Sequence, residues 1–283
     1  MTIKKSQFES TPPEFAADVT PIEDVQNRPD DRGVPINKVG VRNLKYPIVV
    51  LDRANEKQST VARVSMSVNL PHHFKGTHMS RFVEILNDHH GDMTMWTIPN
   101  IVHNLKEKLE AESAHVEMTF PYFIERSAPV TGAKALIDYE STFIGETHEG
   151  KDEFVLKVTI PVTSLCPCSK EISDYGAHNQ RGEITIEVRC EKENGEPDMI
   201  WIEEVVEIAE KSASAPVYAL LKRPDERFVT MQAFDNPAFV EDIVRNVALH
   251  LMQIEKVAWF NVHVENFESI HNHNAFACVE WQR

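Results

Sequence analysis

Residues 60–70 read TVARVSMSVNL. Val64, Met66, Val68 and Leu70 fall on one side of an extended chain there, and Ser65, Ser67 and Asn69 on the other. Alternation with a period of two marks a strand with one buried and one polar face. Before it, NLKYPIVVLDRA (43–54) predicts a partner strand. After it, HMSRFVEILND carries helical spacing at Met79, Phe82, Val83 and Leu86. A longer helix is predicted from about Ile98 to Ala111, with Ile101, Val102, Leu105 and Leu109 on one face. Strands over 114–126 and 134–147 complete the first half.

The second half repeats this order. Strands are predicted at 152–164 and 182–190, a helix at 200–211, a longer helix at 238–254, and closing strands at 257–267 and 274–282. The longer helix sets Val240, Ile243, Val244, Val247, Leu251 and Ile254 on one face. Ile-Val-His-Asn-Leu at 101–105 matches Ile-Val-Arg-Asn-Val at 243–247, at equivalent places in the two long helices. The expected architecture is α+β: two tandem modules of antiparallel sheet, each with paired helices on one face. Module boundaries are set at 36–150 and 151–283. Residues 1–35 are polar and aperiodic and are read as a flexible N-terminal arm. Sheets with a polar outer face need further burial, and oligomerisation is the natural solution.

The chain has 283 residues, 42% of them hydrophobic and 26% charged, an ordinary globular composition. No run reaches the roughly 18 to 20 apolar residues of a membrane span, and MTIKKSQFESTPPEF lacks the apolar stretch of a secretory signal. A cytoplasmic protein is expected. The net charge of −15 argues against nucleic acid or an anionic membrane as the main partner. A small phosphorylated substrate stays open, because it needs only a local basic pocket.

Four cysteines occur, at 166, 168, 190 and 278. Cys190 and Cys278 lie in strand-like contexts and are expected to be small core residues. Cys166 and Cys168 lie in TSLCPCSKE (163–171), which follows a strand and has a proline between its cysteines, so a loop is expected. Without a second cysteine pair a structural four-cysteine zinc site is excluded. A catalytic metal site using one or two sulfurs with histidine and carboxylate remains open, as does a pair of plain turn residues. His178, in GAHNQR (176–181), can fold back towards the cysteines, which makes it a candidate ligand. In ESIHNHN (268–274), His271 is favoured as a further ligand and His273 as a solvent-exposed turn residue. Asp225, in KRPDER (222–227), and Asp242 are expected on the solvated surface. Glu241 adjoins the apolar face of its helix and is expected to be part-buried, so it needs a donor partner. The N1–H and exocyclic amine of a guanine form such a fork.

TSLCPCSKEIS, GAHNQRG, KRPDERFVT, NPAFVED, NFESIHNHNAFA and KGTHMSRF (75–82) resemble the motifs of GTP cyclohydrolase I type IB, over a stretch from about residue 35 to the C-terminus. The resemblance implies the tunnelling fold and a homotetramer with active sites at subunit interfaces. It implies conversion of GTP and water to 7,8-dihydroneopterin triphosphate and formate, the first step of tetrahydrofolate synthesis. It implies a divalent metal, with zinc, manganese and iron all candidates. By matching motif, Cys166 would be the cysteine ligand, with His178, Glu226 and His271 completing the metal environment, and Cys166 and His178 catalytic. Glu241 would anchor guanine, and Cys168 is not implied as a ligand. Lys75, Arg81, Lys170, Arg181, Lys222 and Arg223 are candidate triphosphate contacts. Two rivals stand beside this reading: a tunnelling-fold nitrile reductase with a cysteine nucleophile and NADPH, and a non-catalytic metal- or pterin-binding scaffold. Ligand-type residues beside the cysteine and the lack of a dinucleotide fingerprint favour the cyclohydrolase.

Overall fold

The computed structural model describes residues 24–283 except 27, 90, 91, 149, 194 and 195. Residues 1–23, most of the expected N-terminal arm, lie outside the described residues. The first half runs β1 (Ile36–Asp52), β2 (Glu56–Leu70), α1 (Met79–Asp88), α2 (Thr97–Lys108), β3 (Ala114–Ser127) and β4 (Lys134–His148). The second begins with β5 (Lys151–Leu165), α3 (Pro167–Ile172) and β6 (Asn179–Cys190), then a two-stranded ribbon of β7 (Lys192–Glu193) and β8 (Glu196–Pro197). It closes with α4 (Ile202–Ser212), β9 (Ala215–Pro216), α5 (Arg223–Asp235), α6 (Val240–Met252), β10 (Val257–Asn266) and β11 (Ala275–Gln282).

Among the described residues one antiparallel sheet runs in the order β1-β2-β3-β4-β5-β6-β10-β11, with β9 as a short addition to β5. The first half has the expected strand, strand, helix, helix, strand, strand order; the second adds α3, the β7–β8 ribbon, β9 and the unexpected helix α5 to it, and the two halves join side by side through β4 and β5. Alternation in β2 works as read: Val64, Met66 and Val68 are buried, and Ser65 and Ser67 line the other face. Helix α2 seals the first half with Ile98, Ile101, Val102 and Leu105, and α6 the second with Ile243, Val244, Val247 and Leu251. The matched pentapeptides thus bury equivalent residues, Ile101, Val102 and Leu105 against Ile243, Val244 and Val247. No described helix is long and apolar enough to cross a membrane.

Three expectations need correction. Strand β1 begins at Ile36 and runs through two β-bulges, whose extra residues break the alternation that would reveal it in sequence. Cys166–Glu171 is not a plain loop: Pro167 opens helix α3. A proline at the first helical position loses no hydrogen bond, since that N–H has no intrahelical acceptor. Cys278 is exposed, because it sits on the outward face of edge strand β11 beside Phe276 and Glu280.

Candidate functional site

Strand β5 ends at Leu165, and its partner β6 starts directly opposite at Asn179. The thirteen intervening residues must return to the same point, and Ser169 ties them down. Its hydroxyl donates to the Cys166 carbonyl oxygen at 3.1 Å and accepts the His178 backbone N–H at 3.2 Å. The Cys166 N–H then donates to the His178 carbonyl oxygen at 3.1 Å. Cys166 is the N-cap of α3, and its Sγ accepts the Ser169 N–H at 3.4 Å. Cys166 and His178 are thus held together by backbone geometry, and the half-buried Cys166 contrasts with exposed Cys168.

The His178 ring is oriented from one side. Its Nδ1 lies 2.9 Å from Gln180 Oε1 and 4.0 Å from Glu268 Oε2. With Nδ1–H as donor, Nε2 keeps its lone pair, and it has no hydrogen-bond partner among the described residues. The Glu268 side chain is 12% exposed, and its Oε2 is buried without a hydrogen-bond partner. A buried carboxylate oxygen in that condition is costly unless a donor or cation arrives. Cys166 and Glu268 thus each lie near His178, and sulfur, imidazole nitrogen and carboxylate oxygen are donor types that suit zinc, iron or manganese. Sequence reasoning missed Glu268. No signal in the sequence marks it, because its place beside His178 depends on β10 pairing with β6.

A buried polar network fixes the floor. Asn266, at the end of β10, donates through Nδ2 to Ser164 Oγ at 2.9 Å, and Ser164 donates to the Ala238 carbonyl oxygen at 3.1 Å. The Ser214 hydroxyl accepts the Leu165 N–H at 3.0 Å. Gly182 faces Asn266 across the strands, and a Cβ there would approach Asn266 Oδ1 to 2.6 Å, so the close approach requires glycine. The Leu165 carbonyl oxygen accepts the Ala238 N–H at 3.1 Å. Through that bond the start of α6, carrying Glu241, is set beside the Cys166 turn. Glu241 itself is exposed, against the expected partial burial. It occupies the first turn of α6, two positions before Ile243, where the helix faces the core with Ile243 and Val244. Asp242 instead caps the helix, accepting the Phe239 N–H at 3.1 Å.

Helix α5 divides the remaining residues. Asp225 is completely buried, contrary to its expected surface position. Its carboxylate accepts the N–H groups of Val130 and Thr131 at 2.8 Å, the Thr131 hydroxyl at 2.6 Å and the Lys222 N–H at 2.9 Å. Burial opposes its ionisation, but the Thr131 hydroxyl and the backbone donors outweigh that and hold the carboxyl well below the usual range. Asp225 thereby pins the start of α5 to the β3–β4 turn. The other end meets the cysteine turn, where the Lys170 ammonium donates to the Phe234 carbonyl oxygen and lies 4.3 Å from the Phe234 ring centroid. Glu226, exposed in the first turn, stands eight residues from Phe234, about 12 Å along the helix axis.

His271 and His273 are exposed in the loop before β11, their ring centroids 5.1 Å apart. Lys222, Arg223 and Arg181 are exposed, and the Arg181 carbonyl oxygen accepts the Phe267 N–H at 2.9 Å. Of the earlier basic residues, Arg81 donates to the Lys108 carbonyl oxygen at 3.0 Å. Within one chain the fold sets the Cys166 backbone against that of His178, and Glu268 beside the His178 ring. Among the described residues, no three His, Cys, Asp or Glu side chains form a complete metal-ligand set.

Cys190 packs partly buried against the core. Burial pushes its thiol up to about 11, with Lys256 opposing. A folded-state pKa raised in this way keeps the thiol neutral in the fold, and any stability it supplies is fully present below the ordinary value of 9.0 and lost progressively as the pH rises from there to about 11. At pH 8, iodoacetamide footprinting by mass spectrometry is expected to label Cys168 and Cys278 first and Cys190 last.

The sheet and its helices place the chain in the architectural class of the urate oxidases, the tunnelling fold. A highly active mutant of Bacillus sp. TB-90 urate oxidase superposes with a TM-score of 0.52 at 9% identity, over 88% of this chain and 100% of that one. A hyperthermostable mutant of the same oxidase gives 0.51 at 9% identity. That likeness is one of fold. The sequence defines the family: the profile described as type I GTP cyclohydrolase folE2 matches residues 22–277, and the chain belongs to that family. The GTP cyclohydrolase FolE2 of Geobacter metallireducens is 55% identical over 262 residues, covering 93% of this chain and 98% of that protein. That of Nitrosococcus oceani is 52% identical over 263 residues, covering 93% and 96%.

Proposed function

We propose that this chain is a GTP cyclohydrolase I, converting GTP and water to 7,8-dihydroneopterin triphosphate and formate at the Cys166–His178 site. The observation that carries this reading is the match to the folE2 family over residues 22–277, in a fold that holds Cys166 against His178 at the end of β5.

Cys166, His178, Glu226 and His271 are the residues that would hold a divalent ion, zinc, manganese or iron. When bound, such an ion supplies the Lewis acidity that makes water a nucleophile near neutral pH. The chain's own residues do the rest. Glu241 accepts the guanine N1–H and amine as a fork, which fixes the purine in one orientation. Gln180 and Glu268 hold the His178 ring by Nδ1 and so determine which nitrogen faces the substrate. His178 or His271 moves a proton to the ring nitrogen that departs when the imidazole ring opens. Lys170, Arg181, Lys222 and Arg223 are the candidate contacts for the triphosphate.

The site is proposed to lie between subunits of a homotetramer. Asp225 and Lys170 tether opposite ends of α5, and this keeps Glu226 apart from Cys166 within one chain. The exposed apolar stripe of Phe228, Met231 and Phe234 on α5 fits coverage by a second copy. Interface sites make a specific prediction. Cys166→Ala and Glu226→Ala are each expected to be inactive alone. Refolded together at equal amounts, they are expected to regain roughly a quarter of wild-type activity, because some mixed interfaces carry both intact residues. If the mixture stays as inactive as the separate variants, both residues serve one chain's site.

A further inference from the structure

A second concave site lies away from Cys166, on the sheet face that turns from the helices. Strands β1, β2 and β3 there line a pocket of about 520 Å³, a volume that suits a small-molecule ligand. Its lining includes Lys38, Arg42 and Arg63, with the hydroxyls of Ser65, Ser67 and Thr119. Arg63 and Thr119 are directly paired across β2 and β3, as are Ser67 and His115.

Two β-bulges build the basic wall. Ile36 pairs with Leu70 and Val39 with Val68, so Asn37 and Lys38 together oppose only Asn69. Val41 pairs with Met66 and Leu44 with Val64, so Arg42 and Asn43 together oppose only Ser65. Asn43 takes φ of 61°, the left-handed conformation that lets the second bulge form. Each bulge inserts one cation where a regular strand would have room for a single residue. Between them stands Gly40, where a Cβ would come within 1.9 Å of the Met66 carbonyl oxygen. The absent side chain lets β1 lie close against the β2 backbone between Lys38 and Arg42.

The lining holds three cations against one carboxylate, Glu117. Among the described residues, the side chains of Lys38, Arg42 and Arg63 have no ion-pair or hydrogen-bond partner. Glu117, the carboxylate in the lining, lies 3.8 Å from His115. With 44 acidic residues against 29 basic, three clustered cations lacking an acid partner are unexpected unless an anion joins them. Guanidinium forks and serine or threonine hydroxyls are the donors that phosphate oxygens take.

We propose that this pocket binds the phosphate or polyphosphate group of a small molecule, at a site separate from the Cys166–His178 turn. The test is calorimetric titration of the full chain with inorganic tripolyphosphate, comparing wild type with Arg42→Ala/Arg63→Ala. The Lys38→Gln/Arg42→Gln variant, which removes the charges but keeps polar side chains, serves as a second probe, and Lys57→Ala at the far end of the β1–β2 hairpin as control. One binding event per chain is expected to weaken at least about tenfold in both double variants and to persist in the control. Isotherms unchanged in both double variants would overturn the proposal. A GTP titration of turnover then separates the sources of the anion. A raised KM with kcat retained identifies the triphosphate of GTP seated between copies, whereas an unchanged KM identifies a separate phosphorylated ligand. The calorimetric arm stands even if the chain does not turn over GTP.

Discussion

Cys166→Ala is expected to abolish formate release and to lower the metal content of the purified protein. The thiol is the single sulfur at the turn that is both half-buried and locked against His178 by backbone hydrogen bonds. Alanine keeps the N-cap backbone but removes the sulfur donor, leaving imidazole and carboxylate groups to hold the ion. Loss of metal-assisted activation of water amounts to about 4 kcal/mol or more, roughly a thousandfold in rate. Cys190→Ala, by contrast, is expected to retain both rate and metal, since that thiol packs against the core at the far end of β6. Rate and metal content that survive in Cys166→Ala would show the assignment to be wrong.

Glu241→Ala is expected to raise KM for GTP about a hundredfold while metal content stays at the wild-type level. The magnitude is that of two hydrogen bonds to a charged acceptor, each worth roughly 1.5 kcal/mol. The residue is exposed in the first turn of α6, so its removal leaves the core of that helix untouched. Metal lost in Glu241→Ala would make the residue a ligand instead of a guanine anchor.

The fold was readable because its information is periodic. Period-two alternation in β2 and the apolar faces of α2 and α6 are local patterns, and the order they define occurs twice. What escaped was set by tertiary contact. Helix α5 buries only Asp225 and Ala233, so it has no apolar stripe pointing inward, and Phe228, Met231 and Phe234 face solvent. Asp225 reads as a surface acid until the β3–β4 turn, some 95 residues earlier, arrives to donate to it. At the candidate site, the pairing of Cys166 with His178 was legible, because a short turn between two antiparallel strands returns to its start. Glu268 was not, because its closeness to His178 depends on β10 lying beside β6, a pairing of distant segments. Glu226 and His271 rest on motif likeness to the family, and an interface between copies lies beyond what one chain's periodicity can express.

The most direct measurement is incubation of anaerobically purified protein, loaded separately with zinc, manganese and iron, with GTP. Formate release, together with a pterin that becomes fluorescent on oxidation, is the predicted result with at least one of these metals. No turnover of GTP with any divalent metal would contradict the account.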